Sequence, residues 1–571
     1  MFTNYGISSD ISGVASNEIS TSNTALTLAD FGLTGSPSEP TLAEIIDWTL
    51  GSDTFDEDED ASTTVRNAMG DPLHSQPAAV VYGGDPNDPD VVVFTATNDG
   101  YFHAIDGKTG AEKWAFIPKE LLPDLPDLAL NDVATYKHYG IDGDIVPVVF
   151  DGNDDGIINN SDFVHVIFGM RRGGSQYYSL NVTDPDNPTL NWVRTYAEFG
   201  QTWSRPVVAR VDMNTNRFSA ANATLKSVVI IGEGYDTVHD TPGWPANADN
   251  VGAGISMLDL FTGDRIWRAG RANADLTLST MTRAIPTAVR AIDFSGDGYI
   301  DRMYAVDIGG QVLRFDVTQG EEPDDAVTGG VIAQFGGEGT ASAGDLDAAR
   351  VYNAPDVSIF TDPVLNRRFI AIGVGTGYRA HPLNTDASDA YYSLRDPDLF
   401  AKLTQTAYNS YNIATPGDMA ETSGQVRTVI GATQRGWKFT LPSNLMVLSG
   451  SATFDNSVFF LGYSPDASST VTCNVVPGSN ILYRVSVANG DPIADNIASM
   501  AASASNAARA TALEQGGIAP TPAFLFPSSD SSCPAGETCT PPPLGCIGVE
   551  CFDPGFANNP VRTLWSQDGI E

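Results

Sequence analysis

Apolar and polar positions along the chain form a long, imperfect repeat that begins near residue 74. Each unit opens with a proline that leads into an apolar strand, and a second apolar strand that ends in glycine follows. A third strand has an apolar–acidic pattern, as in YFHAID and ISMLDL. The leading prolines are Pro77, Pro147, Pro206, Pro286 and Pro355. Several units close on a turn and a tryptophan, at Trp114, Trp192 and Trp267. A sixth unit spans 445–490.

Four short antiparallel strands per unit, repeated about six times, are typical of a β-propeller. A four-stranded sheet has two apolar faces and cannot cover both alone, whereas radial stacking covers each face with a neighbouring sheet. Six blades are visible in the sequence, and we expect a seventh. The predicted fold is therefore all-β, with a β-propeller over residues 69–495.

The segments outside the repeat are predicted to form an arm and a tail. Residues 1–68 are an N-terminal arm, in which Thr41 and Glu44 form a capping box for a short helix. The acidic run DTFDEDED at 53–60 favours a solvated linker over a metal site. Residues 496–571 contain an Ala-rich stretch, which we expect to be helical, and a tail rich in Cys and Pro.

The chain is strongly acidic, with a formal net charge of −40. A field of that sign repels phosphate backbones and argues against nucleic-acid binding. It suits divalent cations, and it equally suits a solvated surface of the halophile type. No apolar run approaches the roughly 20 residues of a membrane-spanning helix. The start of the chain has no secretory signal pattern, so we expect any export signal to lie upstream of this sequence.

All five cysteines lie after residue 472. Cys473 stands alone, whereas the others lie in the Pro-rich tail, at Cys533, Cys539, Cys546 and Cys551. No histidine accompanies them, and the paired CxxC spacing of zinc sites is missing. We therefore expect disulfides formed in an oxidising compartment, with one thiol left over because five is odd.

Oxygen-bearing residues in one loop follow the spacing of an EF-hand calcium loop. The loop is DGNDDGIINNSD, residues 151–162, with glycine at its sixth position. Oxygen atoms at this spacing can surround Ca²⁺ with six to eight ligands. The predicted ligands are Asp151, Asn153, Asp155, the carbonyl of Ile157, Asn159 and Asp162.

A second loop, DFSGDGYID at 293–301, is a nine-residue version that Asp301 closes. Its donors are also all oxygen atoms, which favours Ca²⁺ over zinc or copper. Each loop follows the proline-led strand of its unit, so we expect both at the same hairpin of two blades, at one edge of the ring. The hairpin between them starts at Asp212, has Arg217 in place of the glycine, and is interpreted as a decayed site.

Several segments resemble the propeller of the PilC/PilY family of type IV pilus tip-associated adhesins and pilus-biogenesis factors. They are MGDPLHSQP, ATNDGYFHAIDGKTG, AIDFSGDGYIDRMYAVDIGGQVLRFDV and GVGTGYRAHPL. The likeness covers about residues 45–490, and DFSGDGYIDRMYAVD is its most specific part. The sequence lacks the von Willebrand A-like domain that family members often carry, and it has no RGD tripeptide.

The resemblance implies a non-enzymatic protein with calcium as its cofactor. Its ligands here would be Asp293, Ser295, Asp297, the carbonyl of Tyr299 and Asp301. In that family, calcium in the matching loop modulates pilus extension, pilus retraction and surface motility. The resemblance also implies an extracellular location, at the pilus tip or outer cell surface. The implied partners are type IV pilins or minor pilins, with a host or abiotic surface as a further candidate.

Two alternatives stay open. The turns TGAEKW and TGDRIW also resemble the blade motif of quinoprotein dehydrogenases, which use pyrroloquinoline quinone. Those enzymes repeat the motif more regularly and often have adjacent cysteines near the cofactor. In the second alternative, calcium only stabilises hairpins of a structural scaffold and does not act as a switch. The loop spacing does not distinguish the two, because it is compatible with affinities from nanomolar to millimolar.

Overall fold

The computed structural model describes most of the chain. The described residues are 1–4, 15–66, 69–131, 136–159, 161–362, 365–424, 426, 428–465, 478–493, 509–527 and 542–555.

Seven β-sheets follow one another along these residues, and they are the blades of a seven-bladed β-propeller. Blades 1 and 2 contain β1 (Phe2–Thr3), β2 (Ala78–Asp85), β3 (Asp88–Ala96), β4 (Phe102–Asp106) and β5 (Glu112–Ile117), then β6 (Ile145–Phe150), β7 (Phe163–Gly169), β8 (Tyr177–Asn181) and β9 (Thr189–Arg194). Blade 3 contains β10 (Val207–Arg210), β11 (Ser227–Gly232), β12 (Gly254–Asp259), β13 (Arg265–Gly270) and β14 (Leu276–Thr277). The all-β propeller predicted from the repeat is confirmed.

The second half of the chain supplies the other four blades. Blade 4 contains β15 (Arg290–Ile292), β16 (Arg302–Val306), β17 (Gln311–Val317) and β18 (Val327–Gln334). Blade 5 contains β19 (Asp356–Asp362), β20 (Arg367–Gly375), β21 (Ala390–Asp396), β22 (Ala420–Glu421) and β23 (Gly436–Thr440). Blades 6 and 7 contain β24 (Ala452–Phe454), β25 (Ser457–Ser464), β26 (Ser479–Ser486) and β27 (Ala510–Ala512), then β28 (Ala523–Leu525), β29 (Leu544–Ile547) and β30 (Glu550–Phe552). The expected seventh blade is thus present as a three-stranded sheet.

Helices are short and lie outside the sheets. The α-helices are α1 (Leu42–Thr49), α2 (Leu125–Leu130), α3 (Pro323–Ala326) and α4 (Gln405–Asn409). The 3-10 helices are Ala15–Asn17, Leu28–Phe31, Lys119–Asp124, Ala220–Asn222, Thr237–Asp240 and Pro416–Asp418. Within the described residues, none of these helices is both long and apolar enough to cross a membrane.

The core lies between the blades, because each sheet is covered on both faces by its neighbours. The middle strands β16, β17 and β21 are buried at every residue. Blades 4 and 5 meet where the rings of Phe335 and Tyr392 stack, with centroids 4.3 Å apart. Burial on both faces is what radial stacking requires of a four-stranded repeat.

The tryptophans that close the repeats link neighbouring blades. The indole N–H of Trp114 in blade 1 donates to the carbonyl of Pro185 in blade 2 (2.8 Å). Trp192 in blade 2 donates in the same way to Leu260 in blade 3 (2.9 Å). Each acceptor lies in the turn between the third and fourth strands of the next blade, as does Val487, which accepts from Trp437 at 2.9 Å. Trp114, Trp192 and Trp437 therefore satisfy their polar atoms across blade boundaries, whereas the indole N–H of Trp267 has no hydrogen-bond partner among the described residues.

Short parallel strands cover the free edges of three blades. β1 pairs with β5, β14 with β13 and β22 with β23, and each of these pairings is parallel. An uncovered edge exposes unpaired backbone groups that can bind a foreign strand. The additions therefore protect the rim of the propeller.

The arm and the tail both contribute to the sheets. In the arm, the predicted capping box is present: Glu44 accepts from the N–H of Thr41 (2.7 Å), and Thr41 accepts from the N–H of Glu44 (3.3 Å). In the tail, Cys546 and Cys551 form a disulfide between β29 and β30. Most of the Ala-rich stretch expected to be helical lies outside the described residues, and its end is strand β27. The remaining cysteines, Cys473, Cys533 and Cys539, lie outside the described residues.

Candidate metal centre

The two acidic loops occupy the same position in two blades. Loop 151–162 connects β6 to β7 in blade 2, and the cross-strand pair Phe150–Phe163 closes it. Loop 293–301 connects β15 to β16 in blade 4, and the pair Ile292–Arg302 closes it. Each loop therefore joins the first and second strands of its blade, as the sequence predicts.

The first carboxylate of each loop accepts the backbone N–H of the sixth residue. Gly156 N–H donates to Oδ2 of Asp151 (2.7 Å), and Gly298 N–H donates to Oδ2 of Asp293 (2.7 Å). The hydrogen bond from Gly156 lowers the pKa of Asp151. The hydrogen bonds hold both carboxylates over the turn, and the one from Gly156 favours the charged form of Asp151.

The carboxylates at the fifth and last positions also accept equivalent backbone N–H groups in the two loops. Ile157 N–H donates to Oδ1 of Asp155, and Tyr299 N–H donates to Oδ1 of Asp297, both at 2.9 Å. The closing carboxylates accept the N–H of the second residue of their loops at 2.9 Å; the pairs are Gly152 with Asp162 and Phe294 with Asp301. The nine-residue loop thus keeps the hydrogen bonds of the twelve-residue loop.

The backbone also turns in the same way in both loops. The fourth and sixth residues have positive φ, with 56° and 75° at Asp154 and Gly156 and 73° and 85° at Gly296 and Gly298. Glycine and aspartate adopt this conformation at the lowest cost, which explains the composition of the loops. Two loops of different length and sequence therefore share the same backbone conformation at their fourth and sixth positions.

Both loops are attached to the preceding blade through their eighth residue. Ile158 N–H donates to the carbonyl of Tyr82 in β2 (3.1 Å), and Ile300 N–H donates to the carbonyl of Arg210 in β10 (3.0 Å). The guanidinium of Arg210 also lies over the ring of Tyr299, 4.6 Å from its centroid. Each loop is therefore a joint between two blades, which the sequence could not reveal.

The carboxylates of each loop hydrogen-bond to the backbone instead of converging on one point. Among the described residues, the only three acidic, His or Cys side chains with ligand atoms within 4.8 Å of one another are Asp53, Asp56 and Asp58. That group lies in the acidic run that the sequence interpretation assigned to a solvated linker. In the two loops, Asn153 donates to Asp155 (2.9 Å) and Ser295 donates to Asp293 (3.1 Å).

The hairpins of blades 1 and 3 differ from the two loops. In blade 3, Lys226 Nζ lies 3.4 Å from Oδ1 of Asp212, and Arg217 is paired with Asp275 at 2.8 Å. In blade 1, Lys108 is paired with Asp90 at 2.8 Å. A lysine thus pairs with a carboxylate at each of these two hairpins.

Two of the histidines form hydrogen bonds between segments of different blades. His74, ahead of β2, binds Oδ2 of Asp142, ahead of β6, at 2.7 Å. His381 in blade 5 binds the carbonyl of Asp240 in blade 3 at 2.7 Å. His74 and His381 thus join segments that belong to different blades.

No protein-family model matches the chain. The type IV pilus biogenesis factor PilY1 of Pseudomonas aeruginosa strain PAK is 25% identical over 442 residues, which is 71% of this chain and 33% of that protein. A PilY1 homolog of Xylella fastidiosa is 28% identical over 229 residues, or 39% of this chain and 16% of that protein. The crystal structure of the Pseudomonas aeruginosa PilY1 C-terminal domain matches with a TM-score of 0.51 at 19% identity, over 81% of this chain and 92% of that domain.

The fold and its loops first define a class, a seven-bladed β-propeller with acidic loops at the first hairpins of two blades. The comparisons then name the proteins that the chain resembles: it is similar to PilY1 over 71% of its length, and its fold matches that of the PilY1 C-terminal domain. The chain spans about a third of the length of PilY1 from strain PAK and 16% of the Xylella fastidiosa homolog.

Proposed function

We propose that the chain is a non-enzymatic, calcium-binding propeller that supports type IV pilus biogenesis from the cell surface or the pilus tip. The relatives in two bacterial genera are named as type IV pilus biogenesis factors, which supports the pilus role. Its partners are pilus components, pilins or minor pilins, and in an adhesive role a host or abiotic surface.

The shared hydrogen bonds of the two loops carry the calcium part of the proposal. Loops of nine and twelve residues hold their first, fifth and last carboxylates against equivalent N–H groups. Such a loop with all-oxygen donors fits a hard divalent ion. The ligands would be Asp293, Ser295, Asp297, the Tyr299 carbonyl and Asp301 in one loop, and Asp151, Asn153, Asp155, the Ile157 carbonyl, Asn159 and Asp162 in the other.

Bound calcium would act on the joints between blades. The eighth residue of each loop is bonded to the preceding blade, at Tyr82 in blade 1 and Arg210 in blade 3. An ion that fixes the loop therefore also fixes this contact, since both belong to one short backbone segment. The proposed outcome is a stiffer propeller at the joints of blades 1 and 2 and of blades 3 and 4.

Calcium titration by calorimetry tests the sites. We expect two Ca²⁺ ions per chain, and one ion in each of the variants Asp151→Ala and Asp301→Ala, because each removes a ligand that no neighbouring side chain can replace. Asp90→Ala is the matched control, since it removes a hairpin carboxylate outside both loops and leaves two ions bound. A stoichiometry of two in Asp301→Ala would refute the assignment of that loop.

Surface piliation tests the proposed role. A strain of the source bacterium without this protein is expected to have fewer pili by electron microscopy, and the unchanged protein restores them. The variant with both Asp151→Ala and Asp301→Ala is expected to restore fewer pili than Asp90→Ala. Normal piliation in the strain that lacks the protein would contradict the role in biogenesis.

A further inference from the structure

Lysine is rare in this chain, yet three of its seven lysines, which lie at different places in the blades, reach carboxylates at or next to first hairpins. Each ammonium group is close to a hairpin carboxylate; the pairs are Lys108–Asp90 (2.8 Å) in blade 1, Lys226–Asp212 (3.4 Å) in blade 3 and Lys402–Asp301 (3.3 Å) in blade 4. In this acidic protein, a lysine thus pairs with a carboxylate of this kind three times.

Blade 2 is the exception among these four hairpins. Loop 151–162 has four carboxylates, those of Asp151, Asp154, Asp155 and Asp162. In the part of the chain that the structure describes, no lysine or arginine forms an ion pair with any of them. The two candidate loops therefore share a backbone design and differ in whether a protein cation is present.

Lys402 comes from another blade and is held in place by its neighbours. It follows β21 of blade 5, and the carbonyl of Ala401 accepts from the guanidinium of Arg302 at 2.8 Å. On its other side, Leu403 N–H donates to Asp316 at 2.8 Å. With the backbone fixed on both sides, only the Lys402 side chain is free to move away from Asp301.

We propose that Lys402 is an internal cation that competes with Ca²⁺ for Asp301. This inference rests on the proposed function. Calcium binds carboxylate oxygens at about 2.4 Å, so an ion held by Asp301 would lie within a few ångströms of the Lys402 ammonium and repel it. Loop 293–301 is consequently the weaker site, which responds to changes in calcium, and loop 151–162 is the tighter site, which stays filled.

Calcium affinity in single-site backgrounds tests the competition. Asp151→Ala leaves only loop 293–301, and there Lys402→Met is expected to lower the Kd for calcium about three- to tenfold, the range for a partly exposed charge pair with added repulsion. Lys402→Arg keeps the charge and is expected not to tighten binding. In the Asp301→Ala background, Lys402→Met should leave the Kd of loop 151–162 unchanged.

The outcomes separate this inference from the proposed function. If loop 293–301 binds calcium with the same Kd in Lys402→Met as in the parent, the competition is refuted and the calcium site stands. If that loop binds no calcium in any variant, both proposals fail for this site.

A second measurement follows the ammonium group itself. The Lys402 side chain is 39% exposed while it is paired with Asp301. Calcium is expected to increase the reaction of the Lys402 amine with an amine-specific reagent. The labelling is measured by mass spectrometry in the chain without substitutions. Lys113, which in the described part of the chain is paired with Asp186 and with no loop carboxylate, is the control. Equal labelling of Lys402 with and without saturating calcium would contradict its displacement.

Discussion

Replacing Arg314 with methionine is expected to lower the free energy of unfolding by about 3–5 kcal/mol, the cost of leaving buried charges unpaired. Arg314 is fully buried in β17 of blade 4. Its guanidinium donates to both oxygens of Asp396 (3.0 Å each) and to both oxygens of Asp316 (3.0 and 3.1 Å). Without it, the guanidinium that remains nearest to Asp396 is that of Arg302, 3.9 Å away, whereas Asp316 keeps Arg302 at 2.6 Å.

The effect reaches across a blade boundary, because Asp396 ends β21 of blade 5. Tyr304 also donates to Asp396 (2.7 Å), and Tyr408 donates to Asp316 (2.7 Å), so the network fixes both blades. Chemical unfolding followed by tryptophan fluorescence measures the loss. Arg314→Lys is the control that keeps the charge without the planar fork, and an intermediate loss is expected. A loss below about 1 kcal/mol in Arg314→Met would show that Arg302, Tyr304 and Tyr408 suffice to hold the two carboxylates.

The second large effect is a loss of stability in acid caused by His165. Its side chain is buried between Phe163 and Phe261, and its Nδ1 has no hydrogen-bond partner. Burial lowers the pKa of His165 from 6.5 to about 4. Between these values the unfolded chain binds a proton that the folded chain does not. The stabilising contribution is complete above pH 6.5, is lost as the pH falls towards 4, and amounts to about 3 kcal/mol.

Comparison with His165→Phe isolates this contribution. Burial raises the pKa of Asp389 to about 6, which favours the folded state as the pH falls from 6 towards 4 and so acts in the opposite direction. Because Asp389 is unchanged in the variant, the difference between the two proteins reports on His165 alone. Between pH 7 and pH 4, the free energy of unfolding is expected to fall less in His165→Phe than in the parent protein. Equal falls in both proteins would mean that His165 is protonated in the folded state.

The sequence predicts the propeller well where a signal is local. Proline-led strands, glycine-ended strands and closing tryptophans lie within one blade, so six blades can be identified from the chain. The seventh blade has strands of only three or four residues, separated by a long segment rich in Cys and Pro, and a periodic pattern needs more residues than that. For the same reason, strand β27 could not be distinguished from the end of a helix.

The candidate sites show the same division between local and distant information. Glycine at the sixth position and carboxylates at fixed spacing are local, and they place both loops at the correct hairpins. Tyr82, Arg210 and Lys402 lie in other blades, so their contacts depend on how blades stack. Lys402 is about a hundred residues from Asp301, and no spacing rule connects a lysine to a loop at that distance.

The tryptophan links define how the ring would transmit a mechanical load. Blades 1, 2 and 3 are tied in sequence by Trp114 and Trp192, so pulling on one strains the next. Trp267 of blade 3 breaks this series, because its indole N–H has no hydrogen-bond partner in the structure. The boundary between blades 3 and 4 must therefore bear force through its other contacts. One of them is the hydrogen bond from the N–H of Ile300 to the carbonyl of Arg210. The boundary between blades 3 and 4, beside loop 293–301, thus lacks the indole bond that would pass load from one blade to the next.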